Sequence, residues 1–253
     1  YKTLKSPILH FLYLTPRLLL ESIFFVFKNM DIDIIHSHGI NAAFIGSFLK
    51  RLFEKEHVVS FHVDFNFAKS SLVTKIFLWT LGNADKILVL TEKSKAKLEK
   101  LGLGKQKIEV YSYWVNQNIF KPFDKSLSKK RLRFDEERFS VLFVGRISKT
   151  KGVEKLLEIA RLLPYLDFYF IGEGELKEEV KGSATKSKNV FYVGTVENKK
   201  LPLYYSASDL VVVPSQVPKP RPTFEEGIPR VIIESISCGT PVVGTDSGGT
   251  REV

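Results

Sequence analysis

Short apolar runs of four to six residues alternate with longer amphipathic segments along the whole chain. The runs are rich in Ile and Val, and two of them, VLFVG and LVVVP, are apolar at consecutive positions. Strands covered by helices on both faces have this continuous apolarity, and strands that alternate with helices form βαβ units with a parallel sheet. The pattern predicts strands at 33–37, 57–61, 86–90, 107–111, 140–145, 167–172, 189–193, 209–214 and 240–244. It predicts helices at 41–53, 70–81, 93–101, 153–162, 175–181, 201–206 and 230–237.

One segment, FKPFDKSLSKKRLRFDEERF at residues 120–139, is polar and charged and has no strand pattern. At roughly 150 residues per domain, a chain of 253 residues forms one large domain or two smaller ones. We therefore predict two doubly wound, Rossmann-like α/β domains at residues 1–122 and 139–253, joined by a linker at residues 123–138. In open sheets of this kind, ligands bind beyond the carboxyl ends of the strands.

Residues 7–27 are apolar enough to be compared with a membrane span. They include His10, Pro16, Arg17 and Glu21, and a charge at the centre of a bilayer is costly. We therefore expect a helix with a broad buried face, and contact with a membrane surface is the alternative.

The composition is that of a globular protein, with 44% hydrophobic and 26% charged residues. The single cysteine, Cys238, excludes an internal disulfide framework and a cysteine-based zinc cluster, and it fits a cytoplasmic location. The chain starts at Tyr1 and ends at Val253 inside what reads as a motif, so we expect a fragment of a longer protein.

The net charge of +10 is concentrated in the first half of the chain. Residues 1–138 carry 23 Lys and Arg against 14 Asp and Glu, whereas residues 139–253 carry 15 against 14. A basic surface attracts nucleic acids, anionic lipids or phosphorylated substrates, or is simply solvated. No nucleic-acid-binding motif accompanies the charge, and the basic residues do not interleave with aromatic ones as in a base-stacking platform. A nucleic-acid-binding protein is therefore kept only as an alternative.

The loop GRISKTKG at residues 145–152 follows a predicted buried strand and precedes a predicted helix. Its Arg146 and Lys151 form a cationic pair next to a helix N-terminus, which suits a diphosphate, although two basic loop residues can also simply face solvent. The loop has neither the GxxxxGK[ST] pattern of a P-loop nor the GxGxxG pattern of dinucleotide-binding proteins.

The segment EEGIPRVIIES places Glu226 and Glu234 eight positions apart. Pro229 suits the first turn of a helix, so Glu226 should lie just before that helix and Glu234 inside it. Eight helical positions span roughly 12 Å, enough to reach a sugar at one end and a ribose at the other. The N–H groups near Arg230 and Val231 would face the phosphates between them. The alternative is that both glutamates only support the helix, although a carboxylate in the apolar run VIIES needs a partner.

GRISKTKG, EGIPRVIIES, CGTPVV and SGG together resemble a family-4 retaining glycosyltransferase of the GT-B fold, and the resemblance covers nearly the whole chain. DIDIIHSHG, VVSFHVD, NADKILVLTEKSKAKL and VYSYWVNQNIFKP resemble segments of the first domain of that family, and NVFYVGTV and SASDLVVVPS resemble strands of its nucleotide domain. The chain departs from the family at residues 113–116, which read YWVN where NGVD is common, and in the longer Pro-rich loop QVPKPRPTFE.

The resemblance implies a role for each candidate residue. Arg146 and Lys151 would hold the donor diphosphate and stabilise charge on the leaving group. Glu226 would orient the transferred sugar, and Glu234 would accept hydrogen bonds from the ribose hydroxyls. The remaining donor contacts implied are the backbone N–H groups of Gly227 and Ile228 and the first turn at Arg230.

In the first domain, the resemblance implies that His62 faces the reacting sugar. His38 is a second candidate for substrate contact, whereas we interpret His36 as structural. No metal site is expected, because the D-x-D of Asp31 and Asp33 lies at the entrance of a strand, away from the carboxyl ends. A helix N-terminus together with Arg146 and Lys151 can replace a divalent ion at the leaving diphosphate.

The function implied is transfer of a hexose from a nucleotide diphosphate sugar to an acceptor hydroxyl with retention of anomeric configuration, and with no cofactor. The implied acceptor is a glycan or lipid-linked molecule at the cytoplasmic membrane face, contacted by the basic first domain. Another GT-B enzyme, such as a sugar-nucleotide epimerase or a phosphorylase, is an alternative.

Overall fold

The computed structural model describes residues 7–65, 72–216 and 224–253. The chain forms two compact units, Tyr1–Ser112 and Tyr113–Val253. Each unit is built around its own parallel sheet with helices on it, which confirms the predicted fold class. Each predicted strand lies within two residues of an observed one.

The first unit contains a four-stranded parallel sheet. Its strands are β1 (Ile34–His38), β2 (Glu56–Ser60), β4 (Lys86–Val89) and β5 (Ile108–Val110), and a short strand β3 (Val63–Phe65) follows β2. The sheet order is β1-β2-β4-β5, and all its pairs are parallel. Its helices are α1 (Pro7–Lys28), α2 (Ile40–Phe53), α3 (Leu72–Gly82) and α4 (Glu92–Lys100), and a 3₁₀ turn spans Lys105–Lys107.

Helix α1 is less buried than its sequence predicts. Among residues 15–28, whose side chains the structure describes, only Thr15 and Val26 are buried, and Leu20 and Phe27 are 68% and 69% exposed. Val26 packs against Ile45 and Leu49 of α2, so one narrow stripe of α1 is covered. Over residues 15–28 the expected broad buried face is therefore wrong: apolar residues occur on several sides of this part of the helix, but α2 covers only one. Within the described residues, no helix is both long and apolar enough to cross a membrane.

The second unit contains a five-stranded parallel sheet. Its strands are β6 (Ser140–Val144), β7 (Asp167–Ile171), β8 (Val190–Gly194), β9 (Leu210–Val213) and β11 (Val242–Gly244), and a short strand β10 (Phe224–Glu226) precedes the last helix. The sheet order is β11-β9-β6-β7-β8. Its helices are α5 (Lys125–Leu132), α6 (Val153–Leu162), α7 (Lys177–Lys186), α8 (Leu201–Ala207) and α9 (Arg230–Ser237), and 3₁₀ turns span Lys149–Lys151, Asn198–Lys200 and Thr250–Glu252.

Both faces of this second sheet are buried. Alternate residues of β6 enter different core clusters, because Val141 and Phe143 pack on one face and Leu142 packs on the other. The neighbouring strand β7 is buried at all five positions. Continuous apolar runs such as VLFVG therefore correspond to strands covered on two sides, as predicted.

The boundary between the units differs from the prediction. Residues 123–138, predicted as a linker, contain α5 and belong to the second unit, which starts at Tyr113. Asp124 caps α5 by accepting a hydrogen bond from the Leu127 N–H at 2.8 Å. Phe134 stacks on Tyr169 of β7 with ring centroids 3.5 Å apart. The segment is polar because it lies on the surface of the second unit, and its few apolar side chains attach it there.

Candidate functional site

The second sheet reverses its winding between β6 and β9, since β7 and β8 lie on one side of β6 whereas β9 and β11 lie on the other. At such a switch point, the loops after the two central strands diverge and leave room for a ligand. The segment Gly145–Gly152 follows β6, and residues 214–216 follow β9. The predicted diphosphate loop therefore lies at the expected place in the sheet.

Backbone contacts hold this loop in place. The Ile147 N–H donates to the Glu173 carbonyl at 2.8 Å, and the Gln216 N–H donates to the Thr150 carbonyl at 2.7 Å. Ile147 is completely buried, so the residue after Arg146 anchors the loop in the core. These contacts fix the loop to the ends of both neighbouring strands.

Gly152 cannot be replaced without strain. Its φ is +73°, and a Cβ at this position would lie 1.9 Å from the Pro214 carbonyl oxygen. Only glycine allows the loop to approach the end of β9 so closely and then to begin α6 at Val153. The glycine that ends GRISKTKG is therefore required by both its backbone conformation and its packing.

The three cations of this loop differ in their surroundings. Arg146 is exposed and makes no ion pair or hydrogen bond with any described residue. Lys149 pairs with Glu154 at 3.1 Å, which raises the pKa of Lys149 through a hydrogen bond and charge attraction. Lys151 is half-buried at the end of the 3₁₀ turn. Arg146 is thus the side chain best able to meet an anion.

Glu234 is held inside the second unit. It is 5% exposed, and its Oε2 accepts a 2.8 Å hydrogen bond from the Tyr205 hydroxyl. Burial and the Glu234 charge raise the pKa of Tyr205, so its hydroxyl remains a donor. The same two causes raise the pKa of the Cys238 thiol to about 12, so Cys238 remains an uncharged core residue. The carboxylate in VIIES therefore has the partner that its burial requires.

Backbone packing and a backbone hydrogen bond hold the residues that precede α9. Gly227 and Ile228 are buried, and the Gly249 N–H donates to the Gly227 carbonyl at 3.2 Å. Helix α9 begins at the exposed Arg230, one residue later than a first-turn Pro229 would give. Glu226 is the last residue of β10, and its side chain lies outside the described part of the structure.

In the first unit, three side chains form a hydrogen-bonded chain at the carboxyl ends of the strands. His38 ends β1, His62 follows β2 and Tyr111 follows β5. His38 Nδ1 lies 3.0 Å from His62 Nε2, and His62 Nδ1 lies 3.1 Å from the Tyr111 hydroxyl. Burial and the neighbouring His38 lower the pKa of His62, so the neutral imidazole is favoured. Tyr111 is a member of this group that sequence reasoning missed, because a tyrosine after a strand carries no signal of its partner.

Two further histidines have structural partners. His36 Nε2 lies 2.7 Å from the Ser60 hydroxyl, in agreement with the structural interpretation. His57 is completely buried and its Nε2 donates to Ser37 Oγ at 3.0 Å, since that hydroxyl itself donates to a carbonyl. Burial and the Lys50 charge lower the pKa of His57 to about 4. His57 is the second residue of β2, and its sequence context did not mark it as special.

The described residues do not bring three or more His, Cys, Asp or Glu side chains together as metal ligands. Asp31 and Asp33 precede β1, and the Asp33 carbonyl accepts a hydrogen bond from the Glu56 N–H at 3.2 Å. They thus lie at the amino end of the first sheet, as the sequence predicts.

Two family models match the chain, one for each unit. The model described as Glycosyl transferases group 1 matches residues 124–253, and the model described as Glycosyltransferase Family 4 matches residues 3–117. The chain therefore belongs to the glycosyl transferases group 1, and its first unit is of the family-4 type. Residues 124–253 include the GRISKTKG and EGIPRVIIES motifs, and residues 3–117 include the DIDIIHSHG and VVSFHVD segments, so both matches agree with the resemblance.

Curated proteins are similar in sequence to parts of this chain. An uncharacterised 41.2 kDa protein of the cps region of Klebsiella pneumoniae is 26% identical over 248 residues, which covers 92% of this chain and 67% of that protein. A D-inositol 3-phosphate glycosyltransferase of Segniliparus rotundus is 34% identical over 155 residues, which covers 57% of this chain and 33% of that protein. The chain thus spans between a third and about two thirds of these relatives.

A solved structure shows the same fold. The crystal structure of Anabaena Alr3699/HepE in complex with UDP superimposes with a TM-score of 0.76 at 21% identity, covering 93% of this chain and 65% of that one. At this identity the similarity supports the GT-B fold and no finer property. The predicted fold and family are therefore confirmed, whereas the roles of individual residues stay predictions.

Proposed function

We propose that this chain binds a nucleotide diphosphate sugar and contributes to the transfer of a hexose, with retention of configuration, to an acceptor hydroxyl. The observation that carries the proposal is the loop at residues 145–152, which backbone contacts fix at the switch point of the second sheet. Arg146 of this loop is exposed and makes no ion pair with any residue that the structure describes, and the loop leads into the N-terminus of α6. Fixed N–H groups and a bidentate cation are suited to a diphosphate.

Glu234 supports the other end of the donor. Its Oε2 is occupied by Tyr205, and the neighbouring Oε1 belongs to the same fixed carboxylate. A carboxylate whose rotamer is held by a buried phenol can accept ribose hydroxyls with little loss of side-chain entropy. The complex of Anabaena Alr3699/HepE with UDP supports a uridine nucleotide as the first ligand to test.

Nucleotide binding by two matched loop variants tests the proposal. Calorimetry with UDP and GDP should show that Arg146→Ala loses about 2 kcal/mol of binding free energy, or about thirtyfold in affinity. Lys149→Ala is the control, because Lys149 lies in the same loop but is already paired with Glu154. Equal affinities for Arg146→Ala and the unaltered chain would remove the diphosphate assignment.

Substitutions of the two glutamates should affect the affinities for free nucleotide and for nucleotide sugar differently. Glu234→Gln should weaken both ligands, because the ribose is common to them. Glu226→Gln should leave free nucleotide binding nearly unchanged and weaken only the nucleotide sugar, since Glu226 is assigned to the hexose. If Glu226→Gln weakened free nucleotide as much as Glu234→Gln does, both residues would be structural supports.

We further propose that no metal ion or cofactor takes part in donor binding. Arg146, Lys151 and the helix N-termini would supply the positive charge that a divalent ion supplies elsewhere. Nucleotide affinity should therefore be the same in EDTA and in magnesium or manganese. An affinity that collapses in EDTA and returns with either ion would contradict this part of the proposal.

For the acceptor, we propose a glycan or lipid-linked molecule at a cytoplasmic membrane surface. Helix α1 supports this, because Leu20, Phe24 and Phe27 are exposed and Lys28 Nζ lies 4.3 Å from the Phe24 ring centroid. Aromatic side chains combined with basic ones are typical of helices that lie on anionic lipids.

Vesicle sedimentation tests this surface. The chain should bind vesicles containing anionic phospholipid and not neutral ones, and Phe27→Glu should reduce that binding. Leu162→Glu is the matched control, because Leu162 is 77% exposed on a helix of the second unit. Equal binding by the two variants would show that α1 is not the contact surface.

A further inference from the structure

Four buried residues of the second unit form a closed ring of hydrogen bonds that includes Glu234. The Tyr205 hydroxyl donates to Glu234 Oε2 at 2.8 Å. Beside Glu234 in α9, the Ser235 hydroxyl donates to the Thr240 carbonyl at 2.9 Å, and the Thr240 N–H donates back to the Ser235 carbonyl at 3.0 Å. The Thr240 hydroxyl closes the ring by donating to the Tyr205 carbonyl at 2.7 Å. The ring therefore connects α8 and α9 to the residues before β11.

This ring lies in the core of the second unit. Tyr205 and Ser235 have no exposed surface, and Thr240 is buried. Phe120 packs against the Tyr205 ring, with the two centroids 6.3 Å apart. Side chains in a close-packed interior keep one rotamer, and a hydrogen bond to a carboxylate is stronger than one between neutral groups. The Tyr205 hydroxyl is therefore fixed by the fold, and it fixes one oxygen of Glu234.

The second oxygen of Glu234 is not used by the ring. Oε1 accepts no hydrogen bond from any residue that the structure describes. Among the described residues, the buried side-chain atoms that lack a partner are His57 Nδ1 and Ser128 Oγ, so Oε1 is not sealed in the core. A carboxylate held through one oxygen keeps the other at a fixed place. That oxygen can accept a ribose hydroxyl with little further loss of side-chain entropy.

We infer that Tyr205 and Thr240 are positioning residues for Glu234, and that the ring they form sets how strongly Glu234 binds the ribose hydroxyls of a nucleotide. The inference rests on the proposed function for the ribose contact of Glu234. Tyr205 acts through Oε2, and Thr240 acts through the Tyr205 backbone. The ring thus gives a role to the threonine of CGTPVV, a motif that the sequence analysis used only for the family resemblance.

Two ligands that differ only in the ribose hydroxyls distinguish positioning from a purely structural role. Calorimetry should show that the unaltered chain binds UDP about tenfold more tightly than 2′,3′-dideoxyuridine diphosphate. A ring that only stabilises the fold would affect both ligands equally. A variant that folds incompletely also changes both measurements alike, so the ratio of the two affinities still reports on the ribose contact.

Tyr205→Phe removes the hydroxyl and should reduce this ratio to about threefold or less. Tyr204→Phe is the matched control and should keep the full ratio, because Tyr204 lies in the same helix and its hydroxyl makes no hydrogen bond with a described residue. In a Glu234→Ala background, Tyr205→Phe should leave the ratio unchanged, since no carboxylate is left to position. A full ratio in Tyr205→Phe, or a further change in the Glu234→Ala background, would overturn the inference.

Two variants of Thr240 separate its hydroxyl from its packing. Thr240→Val removes the donor at nearly constant volume and should lower the affinity ratio. Thr240→Ser keeps the donor and should retain the ratio. Equal ratios in the two variants would overturn the positioning role of Thr240.

Failure of the proposed function would give a different result from failure of the positioning roles. If the unaltered chain bound neither nucleotide, the proposed function would fail and the inference with it. If the unaltered chain bound both nucleotides equally, Glu234 would not contact the ribose, so the inference would fail while nucleotide binding remained. A full ratio in both the unaltered chain and Tyr205→Phe would overturn the positioning role alone.

Discussion

In both units, the same arrangement of an aspartate and a lysine stabilises the amino-terminal end of a strand. In each, an aspartate just before a strand accepts the N–H at the start of the neighbouring strand and pairs with a lysine from a helix. In the first unit, Asp85 accepts from the His57 N–H at 2.8 Å and from Lys50 at 2.5 Å. In the second, Asp209 accepts from the Ser140 N–H at 2.7 Å and pairs with Lys125.

The origin and burial of the lysines differ between the units. Lys50 belongs to α2, within the alternating pattern of strands and helices, whereas Lys125 belongs to α5, in the segment predicted as a linker. A second lysine, Lys129, lies 3.5 Å from Asp209 and is 6% exposed. The second unit therefore places more buried charge around its aspartate, and it depends on a helix that the alternation of strands and helices does not predict.

The carboxyl-terminal edges of the two sheets differ more strongly. In the second unit, backbone hydrogen bonds and Gly152 fix the loop, and Arg146 in it is exposed. In the first unit, side chains bond to one another, as in His38, His62 and Tyr111. One edge is thus fixed by backbone geometry, and the other by hydrogen bonds between side chains.

The largest expected effect tests the backbone-fixed edge. Gly152→Ala places a Cβ against the Pro214 carbonyl in a left-handed conformation, and should destabilise the second unit by about 4 kcal/mol. Gly182→Ala is the control, since a Cβ there meets nothing within 4 Å in α7, and it should stabilise by about 0.5–1 kcal/mol. Urea unfolding measures both. A Gly152→Ala variant as stable as Gly182→Ala would show that the loop is not fixed as described.

A second test compares the acid sensitivity of the units. All five histidines lie in residues 1–62, so only the first unit can lose stability by histidine protonation. The pKa of His57 is about 4 in the folded chain and 6.5 as its ordinary value, so the unfolded state binds more protons between these limits. Its contribution is complete above pH 6.5 and is lost as the pH falls towards 4. At pH 5 the first unit should be destabilised by about 2 kcal/mol.

Hydrogen exchange resolved by peptide measures this difference. Protection in β2 and β4 should fall about thirtyfold between pH 7 and pH 5, whereas β6 and β7 should change far less. His57→Gln keeps a donor for Ser37 Oγ and removes the titration, so most of the pH dependence should disappear. Equal loss of protection in both units, or no change in His57→Gln, would contradict the role of His57.

The smallest expected effects concern Asp85 and Asp209, which hold corresponding positions in the two units. Asp209→Asn should cost about 1.5 kcal/mol, because Lys129 is buried and loses its counter-charge. Asp85→Asn should cost about half as much, since the Asp85 side chain is 42% exposed and its pair is screened by water. Thermal unfolding of the two variants gives the ranking. A larger loss of stability in Asp85→Asn than in Asp209→Asn would mean that the burial of Lys129 does not determine which variant is less stable.

The sheets could be predicted from the sequence because the burial of each strand shows in the apolar residues of the strand itself. Runs such as VLFVG place strand β6 within one residue, and the helix at 153–162 was predicted with the bounds that the structure shows. Arg146 and Glu234 could also be found, because the loop follows a strand and the glutamate interrupts an apolar run. The pattern is sufficient wherever the burial of a segment decides its structure.

Contacts between distant residues could not be predicted from the pattern. Tyr205 and Glu234 are 29 positions apart, and the hydroxyl is marked only by its position in the folded chain. The clash that Gly152 avoids involves Pro214, which lies after another strand. Helix α5 was missed because KSLSKK has too few apolar residues to show a buried stripe.

The attachment of α5 determines where this protein can be divided for expression. A piece beginning at residue 139 would lack Phe120 and Phe134, and so would expose the faces of Tyr205 and Tyr169 against which they lie. It would also leave Asp209 without either lysine. A fragment of the second unit intended for crystallisation or ligand screening should therefore begin at Tyr113, where that unit begins.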